Sequence, residues 1–323
     1  MTGILAAVRL APAGLLVAFV AVAVMGFAIQ RGATCTVAAV AEIVEQRRAR
    51  RLLALLESAL WVNGGIIVAR ASGFSMAAPI DHPLTLAVVT GGALLGLGAF
   101  VAGVCVFGAV ARLGSGEWAF AAVPLGYYLG CLVAAWLGVL DPAPPLATVA
   151  PVVAAPAWLA LPVLGLAALR LAWIARRGGW YEQTEAGTLW HPHSATIVIA
   201  LAFVFLLFLA GPWAYTDAIA GFARGMVASL GPRSLLLAAL FGGAMAGAWA
   251  SGRWASRRPD PVVLLRCLAG GGLMALGGLL IPGGNDGLIL VGLPNLQPYA
   301  WVAMAAMVAT VAAALVVQKR LRR

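Results

Sequence analysis

Two of the four cysteines stand just after glycine in otherwise apolar sequence, in Arg31-Gly32-Ala33-Thr34-Cys35-Thr36 and in Gly103-Val104-Cys105. Gly32 can break one helix and Thr34 can cap a short new one, which predicts Cys35 in its first turn. Such a helix start offers unpaired N–H groups and about half a positive charge, enough to favour an anion without a full cation in hydrocarbon. A thiol adds a weak, polarizable donor that suits a sulfur partner. Cys105 follows Gly103 at the same kind of bend, so both thiols are expected on one route. Free cysteine is also a common small buried hydrophobe. Cys131 and Cys267 lack the glycine break and are read as packing residues. None of the four has zinc or disulfide spacing, so all are expected to be free thiols.

Later in the chain, Arg224-Gly225 leads to Met226-Val227-Ala228-Ser229, and Gly283-Gly284 leads to Asn285-Asp286-Gly287, with cysteine at neither place. Asn285 is a strong helix cap. Asp286 is either an ionisable group at work inside the membrane or a capping aspartate at the outer surface. Asp81-His82-Pro83 and His191-Pro192-His193 read as polar turns on opposite sides of the membrane, and no metal site or cofactor is expected from them. A thiolate enzyme that transfers sulfane sulfur is the alternative reading. It needs a base or cation beside the cysteine, and near Cys35 only Arg31 offers itself, so no enzyme is expected.

These residues have to be positioned by helices in lipid. Only 10% of the residues are charged and 63% are hydrophobic, against about a quarter charged in a soluble domain. Apolar runs of about 20 residues recur from end to end, each long enough to cross the hydrocarbon as a helix. The predicted fold is a single all-α polytopic membrane domain over residues 1–323. Its spans fall near Leu10–Ile29, Leu52–Ala69, Pro83–Val101, Trp118–Leu140, Leu146–Ile174, Ser194–Trp213, Ser234–Ala250, Val262–Ile281 and Pro298–Val317. The first run is longer than a signal-peptide core and is read as retained. Four stretches are too apolar for loops and too short to cross: Gly32–Gln46, Gly103–Gly116, Ala218–Gly231 and Gly283–Pro294. They are expected to be re-entrant, because irregular backbone at membrane depth survives only when it is buried or lines a cavity.

Net charge of +10 does not imply nucleic acid, since the basic residues sit in short blocks between apolar runs. With nine spans, seventeen of the 21 basic residues fall on one side of the membrane, including Arg47, Arg48, Arg50 and Arg51. Arg9, Arg70, Arg224 and Arg233 fall on the other. The rule that positive charge stays inside then places the C-terminus in the cytoplasm and the N-terminus outside. An internal repeat is also expected, residues 10–140 and 194–317, flanking a linking span at 146–174. Gln30-Arg31-Gly32 is matched to Ala223-Arg224-Gly225, and Gly91-Gly92 through Gly103 to Gly271-Gly272 through Gly283. The odd linking span inverts the second copy into a pseudo-two-fold arrangement typical of transporters.

With the two Gly-and-Cys bends and Gly283-Gly284-Asn285-Asp286-Gly287 in hand, the chain resembles the YeeE/YedE family of thiosulfate and sulfur-compound permeases over nearly its whole length. The resemblance implies an hourglass-shaped inverted repeat in the bacterial inner membrane, in which Cys35 and Cys105 pass thiosulfate inward. It also implies a small cytoplasmic TusA-like sulfur carrier as partner, with Arg47 to Arg51 as the expected docking face. The expected pathway comprises Cys35, Cys105, Thr34, Arg31, Gly32, Gly103, Gly284, Asn285 and Asp286. Relatives commonly carry a further cysteine in a Gly-Gly-Cys-Asn type stretch, here Gly283-Gly284-Asn285, and another in the short segment after Arg224-Gly225. Either two thiols suffice, with Asn285 and backbone N–H groups completing the route, or this chain handles a different small anion or sulfur compound.

Overall fold

The computed structural model describes residues 12–74, 79, 81–138, 146, 150–176, 179–184, 187–225, 230–281 and 283–322. Among these, nine helical stretches are long and apolar enough to cross a membrane, and the chain is an all-α polytopic membrane protein. The first half contains α1 (Pro12–Arg31), α2 (Thr36–Gln46), α3 (Arg50–Ala71), α4 (Leu86–Ala102), α5 (Val106–Gly114) and α6 (Ala122–Leu137). After α7 (Ala160–Arg176) comes an antiparallel hairpin, β1 (Tyr181–Thr184) and β2 (Gly187–Trp190), in the register Tyr181 opposite Trp190. The second half contains α8 (Pro192–Ala210), α9 (Tyr215–Ala223), α10 (Leu230–Ala250) and α11 (Pro261–Leu280). It closes with α12 (Asn285–Gly287), which continues as a π-helical turn over Leu288–Gly292, and with α13 (Pro298–Leu321).

Local chemistry sets the ends of these helices. Proline stands at the start of α8, α11 and α13, where its missing N–H is not needed. The Asp260 carboxylate accepts from the N–H groups of Val262 (2.7 Å) and Val263 (3.3 Å). Gly103, at φ 75°, stops α4 in the left-handed conformation that glycine adopts without strain.

The nine expected spans are present, with one large shift. The fifth starts at Ala157 rather than Leu146, because Pro151 and Pro156 hold the preceding chain out of a helix and Leu146 instead bridges Asp81. Leu10, the end of the fourth span at Leu140, residues 147–149 and Met226–Ser229 lie outside the described residues. The hairpin was not foreseen.

α1 packs against α10 and α8, and α8 packs against α3; α4 packs against α11 and α13, and α11 packs against α6. Exchanging α1, α3, α4 and α6 for α8, α10, α11 and α13 maps these contacts onto one another. The first-half breaks before α2 and α5, at Cys35 and Cys105, recur at Ala214 and Gly284, each after the same interval of 179 positions. The same interval from Gly32 reaches Gly211, where α8 ends, rather than Gly225. The expected segment Ala218–Gly231 is corrected to α9, which begins at Tyr215 because Gly211-Pro212 ends α8; Arg224 closes α9 instead of opening it.

The apolar exterior meets lipid, with Leu60, Trp136, Leu161 and Trp249 among the most exposed side chains. α7 is the most peripheral span and is tied to the body by charge. Arg170 grips the Glu57 carboxylate of α3 with two bonds of 2.7 and 2.8 Å, while His193 and Trp61 also bond Glu57. His191 stacks on His193 at 5.4 Å; burial, then the neighbouring His193, pushes the His191 imidazole below its ordinary value.

Candidate functional site

Four short-helix starts converge in the interior. In the first, Ala33 takes a left-handed turn (φ 46°) and the Thr34 N–H returns to the Ile29 carbonyl, so the chain leaves α1 and restarts. The cap is Cys35, extended at φ −159° and ψ 128°, one residue beyond the expected Thr34. Cys35 stands at the threshold of α2 rather than in its first turn. Cys105 caps α5 in the same way, at φ −84° and ψ −179°, and Gly284 caps α12 at φ −79° and ψ −179°. Asn285 is therefore the first helical residue and not the cap. Ala214 caps α9.

The two thiols are cross-braced. Cys105 Sγ accepts the Thr36 N–H at 3.1 Å, and Cys35 Sγ accepts the Cys105 N–H at 3.5 Å. Each sulfur thus meets the N-terminal donors of a short helix, the environment the sequence predicts for both. Gly108, one turn into α5, leaves room for Cys35: a methyl there would lie 2.7 Å from its sulfur. Cys105 is fully buried, and Cys35 is 8% exposed and lines a small recess. Gly32, Thr34, Arg51, Leu55 and Thr196 also line that recess, so a cation is part of its wall.

The second half closes on the same point. Asn285 Nδ2 donates to Thr36 Oγ1 at 3.3 Å, and its buried Oδ1 has no hydrogen-bond partner among the described residues. Tyr215 donates its hydroxyl to the Val106 carbonyl at 2.8 Å. The Asp286 carboxylate, 1% exposed, accepts from the Thr216 N–H (3.2 Å) and the Thr216 hydroxyl (2.5 Å). Asp286 is therefore an interior group and not an outer-surface cap. A methyl at Gly284 would stand 2.5 Å from Thr216 Oγ1 and 2.8 Å from Asp286 Oδ1. The Thr216–Asp286 pair thus leaves no room for a side chain at position 284.

The structure brings Gly32, Thr34, Cys35, Cys105, Asn285 and Asp286 together, with Gly103 and Gly284 as the backbone hinges. Arg31 is placed differently. It ends α1, buried, near Arg112 and Arg253, and Arg112 pairs with Glu117 at 2.9 Å. Burial, followed by the charges of Arg31 and Arg112, depresses the Arg253 guanidinium. Sequence reasoning missed Thr216, Tyr215, Gly108 and the role of Arg51. The signal for the first two was the Gly211-Pro212 break. Among the described residues no three His, Cys, Asp or Glu side chains are grouped as a metal site.

No curated protein matches the chain at a significant level. A family profile described as sulphur transport matches residues 31–313, from the last residue of α1 into α13, and so takes in all four short-helix starts. The chain belongs to this sulphur-transport family, the YeeE/YedE family, and is a multi-pass membrane transporter of sulfur compounds.

Proposed function

We propose that the protein imports thiosulfate across the bacterial inner membrane, along a path through Cys35, Cys105 and the four short-helix starts. The observation that carries this reading is the mutual bracing of the two thiols by the N–H groups of α2 and α5. A small dianion is costly to dehydrate, and a cluster of weak N–H and S–H donors stabilises it without holding it. The recess beside Cys35, with Arg51 in its wall, forms the inner exit in this reading.

The two halves, residues 10–140 and 194–317, act as inverted repeats about α7. The equal 179-position intervals and the exchangeable contacts support this, and the seventeen-to-four split of basic residues supports an external N-terminus and a cytoplasmic C-terminus. A TusA-like carrier receives the sulfur at the basic face around Arg47, Arg48, Arg50 and Arg51, where Arg50 also bonds Glu42 and Glu182. Labelled thiosulfate should enter proteoliposomes that contain the purified protein and not empty ones. Equal entry into both would end the thiosulfate reading, and an active C-terminal alkaline phosphatase fusion outside the cytoplasm would reverse the orientation.

A further inference from the structure

The first half meets its short-helix donors with two thiols; the second half meets them with a carboxylate. We propose that Asp286 is the proton-carrying group of this transporter, and that its protonation frees the path for the anion. This rests on the transport reading of the site and adds to it the driving ion.

Asp286 is almost fully buried, and among the described residues no ion pair neutralises it. Its partner is Thr216, whose N–H belongs to the first turn of the nine-residue α9 and whose hydroxyl donates as well. While ionised, Asp286 occupies the donors that a permeating anion must use, and two negative charges cannot share them. Taking up a proton from the outer water removes the charge and loosens the hold on Thr216. The anion then meets a neutral acid. Loss of that proton to the inner water restores the carboxylate, which repels the anion onward past Cys105 and Cys35. Proton and anion travel in one direction, and no bond in the substrate is broken.

The titratable groups that face Asp286 are Tyr127 from α6 and Tyr215 and Asp217 from α9, with Cys105 beyond Tyr215 at the start of α5. Arg224 and Arg233 act on Asp217. The neighbouring α3 contributes the uncharged Asn63, which bonds the Pro294 carbonyl, and Tyr299 of α13 lies toward Asp217 and Asp81. Of these acids, Asp286 is the one whose side chain accepts the Thr216 N–H at the start of α9, among the described residues.

The test uses proteoliposomes with labelled thiosulfate and an imposed pH gradient, acid outside. The parent should accumulate thiosulfate about tenfold or more above the level reached without the gradient, and Asp286→Asn should lose that dependence. Thr216→Val removes a donor to the charged form, so the pH midpoint of uptake should rise by about one unit. Infrared titration of the purified protein provides a readout independent of substrate: a protonated carboxylic-acid band should grow on acidification and be missing in Asp286→Asn. Gradient-driven accumulation by Asp286→Asn equal to the parent, or a titration identical in the two proteins, would overturn the proposal. Should no thiosulfate enter under any gradient while the Asp286 band titrates, the substrate reading falls and the proton site stands.

Discussion

Gly108 allows the position of the Cys35 thiol to be tested without altering its chemistry. A methyl at position 108 would lie 2.7 Å from Cys35 Sγ and 3.1 Å from both Cys35 Cβ and Val104 Cβ, whereas ordinary contact begins at 3.4 Å. Gly108→Ala must therefore displace the thiol or α5 by about 0.7 Å, the difference between 3.4 and 2.7 Å, in an interior that is close-packed. Overpacking of this kind costs about 1–3 kcal/mol. If the native thiol position is what the anion uses, the same energy corresponds to a loss of about 5- to 150-fold in uptake. Uptake of labelled thiosulfate at equal membrane abundance, with thermal unfolding in detergent beside it, measures both consequences. Gly242→Ala is the control, since a methyl there meets nothing within 4 Å. Adding Cys35→Ala to Gly108→Ala removes the closest contact, so part of the stability should return while uptake stays low. Parental uptake and melting in Gly108→Ala would refute the tight seating of Cys35. A double variant no more stable than Gly108→Ala would show that the clash is not with the thiol.

Cys35→Ala and Cys105→Ala should each lower thiosulfate uptake sharply, with serine restoring part of it and Cys131→Ala close to silent. Cys105→Ala should also melt lower than Cys35→Ala, because the Thr36 N–H it strips of an acceptor is held at 3.1 Å, whereas the Cys105 N–H that Cys35→Ala strips is held more loosely at 3.5 Å. An unmet buried donor costs about 1–3 kcal/mol. Glu57→Gln should destabilise by about 2 kcal/mol in thermal unfolding, because a partly buried, bidentate charge-assisted clamp on Arg170 becomes neutral on one side. His191 is held below the ordinary imidazole value of 6.5, so the unfolded chain binds its proton first and stability should fall as pH drops through and below 6.5. His191→Gln should flatten that part of the melting-versus-pH curve, and an unchanged slope would remove His191 as its source.

The spans were legible because runs such as the one ending at Arg31 or starting at Pro261 carry their own length and stop signals. The thiol breaks were legible for a related reason: glycine and cysteine together interrupt an apolar run in a way that packing alone does not require. The cap was misread by one residue, since propensity favours Thr34 while the left-handed turn at Ala33 spends Thr34 on the return to Ile29. The fourth break was misplaced for a physical reason as well. Arg224-Gly225 imitates Arg31-Gly32, whereas the true break ends in Ala214, a cap whose side chain offers nothing to recognise. Asp286 stood out in the sequence, but its partner Thr216 lies 70 positions away, and no local pattern links them. The Glu57, Arg170 and His193 cluster draws on three helices and was equally invisible.

α4 belongs to the first half and α11 to the second, and their backbones touch. A methyl on Gly98 would come within 2.5 Å of the Gly270 carbonyl oxygen, and one on Gly270 within 2.5 Å of the Gly98 oxygen; Gly91 and Gly277 repeat the reciprocity at 2.9 and 2.6 Å. Two helices keyed in this way can neither slide nor roll without separating. A carrier that worked by rocking one half against the other would have to tear this seam open and reclose it with every anion. If this seam stays closed during transport, the two bundles form one frame and the moving parts of a cycle reduce to a few side chains and the turns that hold them. Such a device should pass its cargo with a low activation enthalpy and should go on working when the two halves are covalently stapled across α4 and α11.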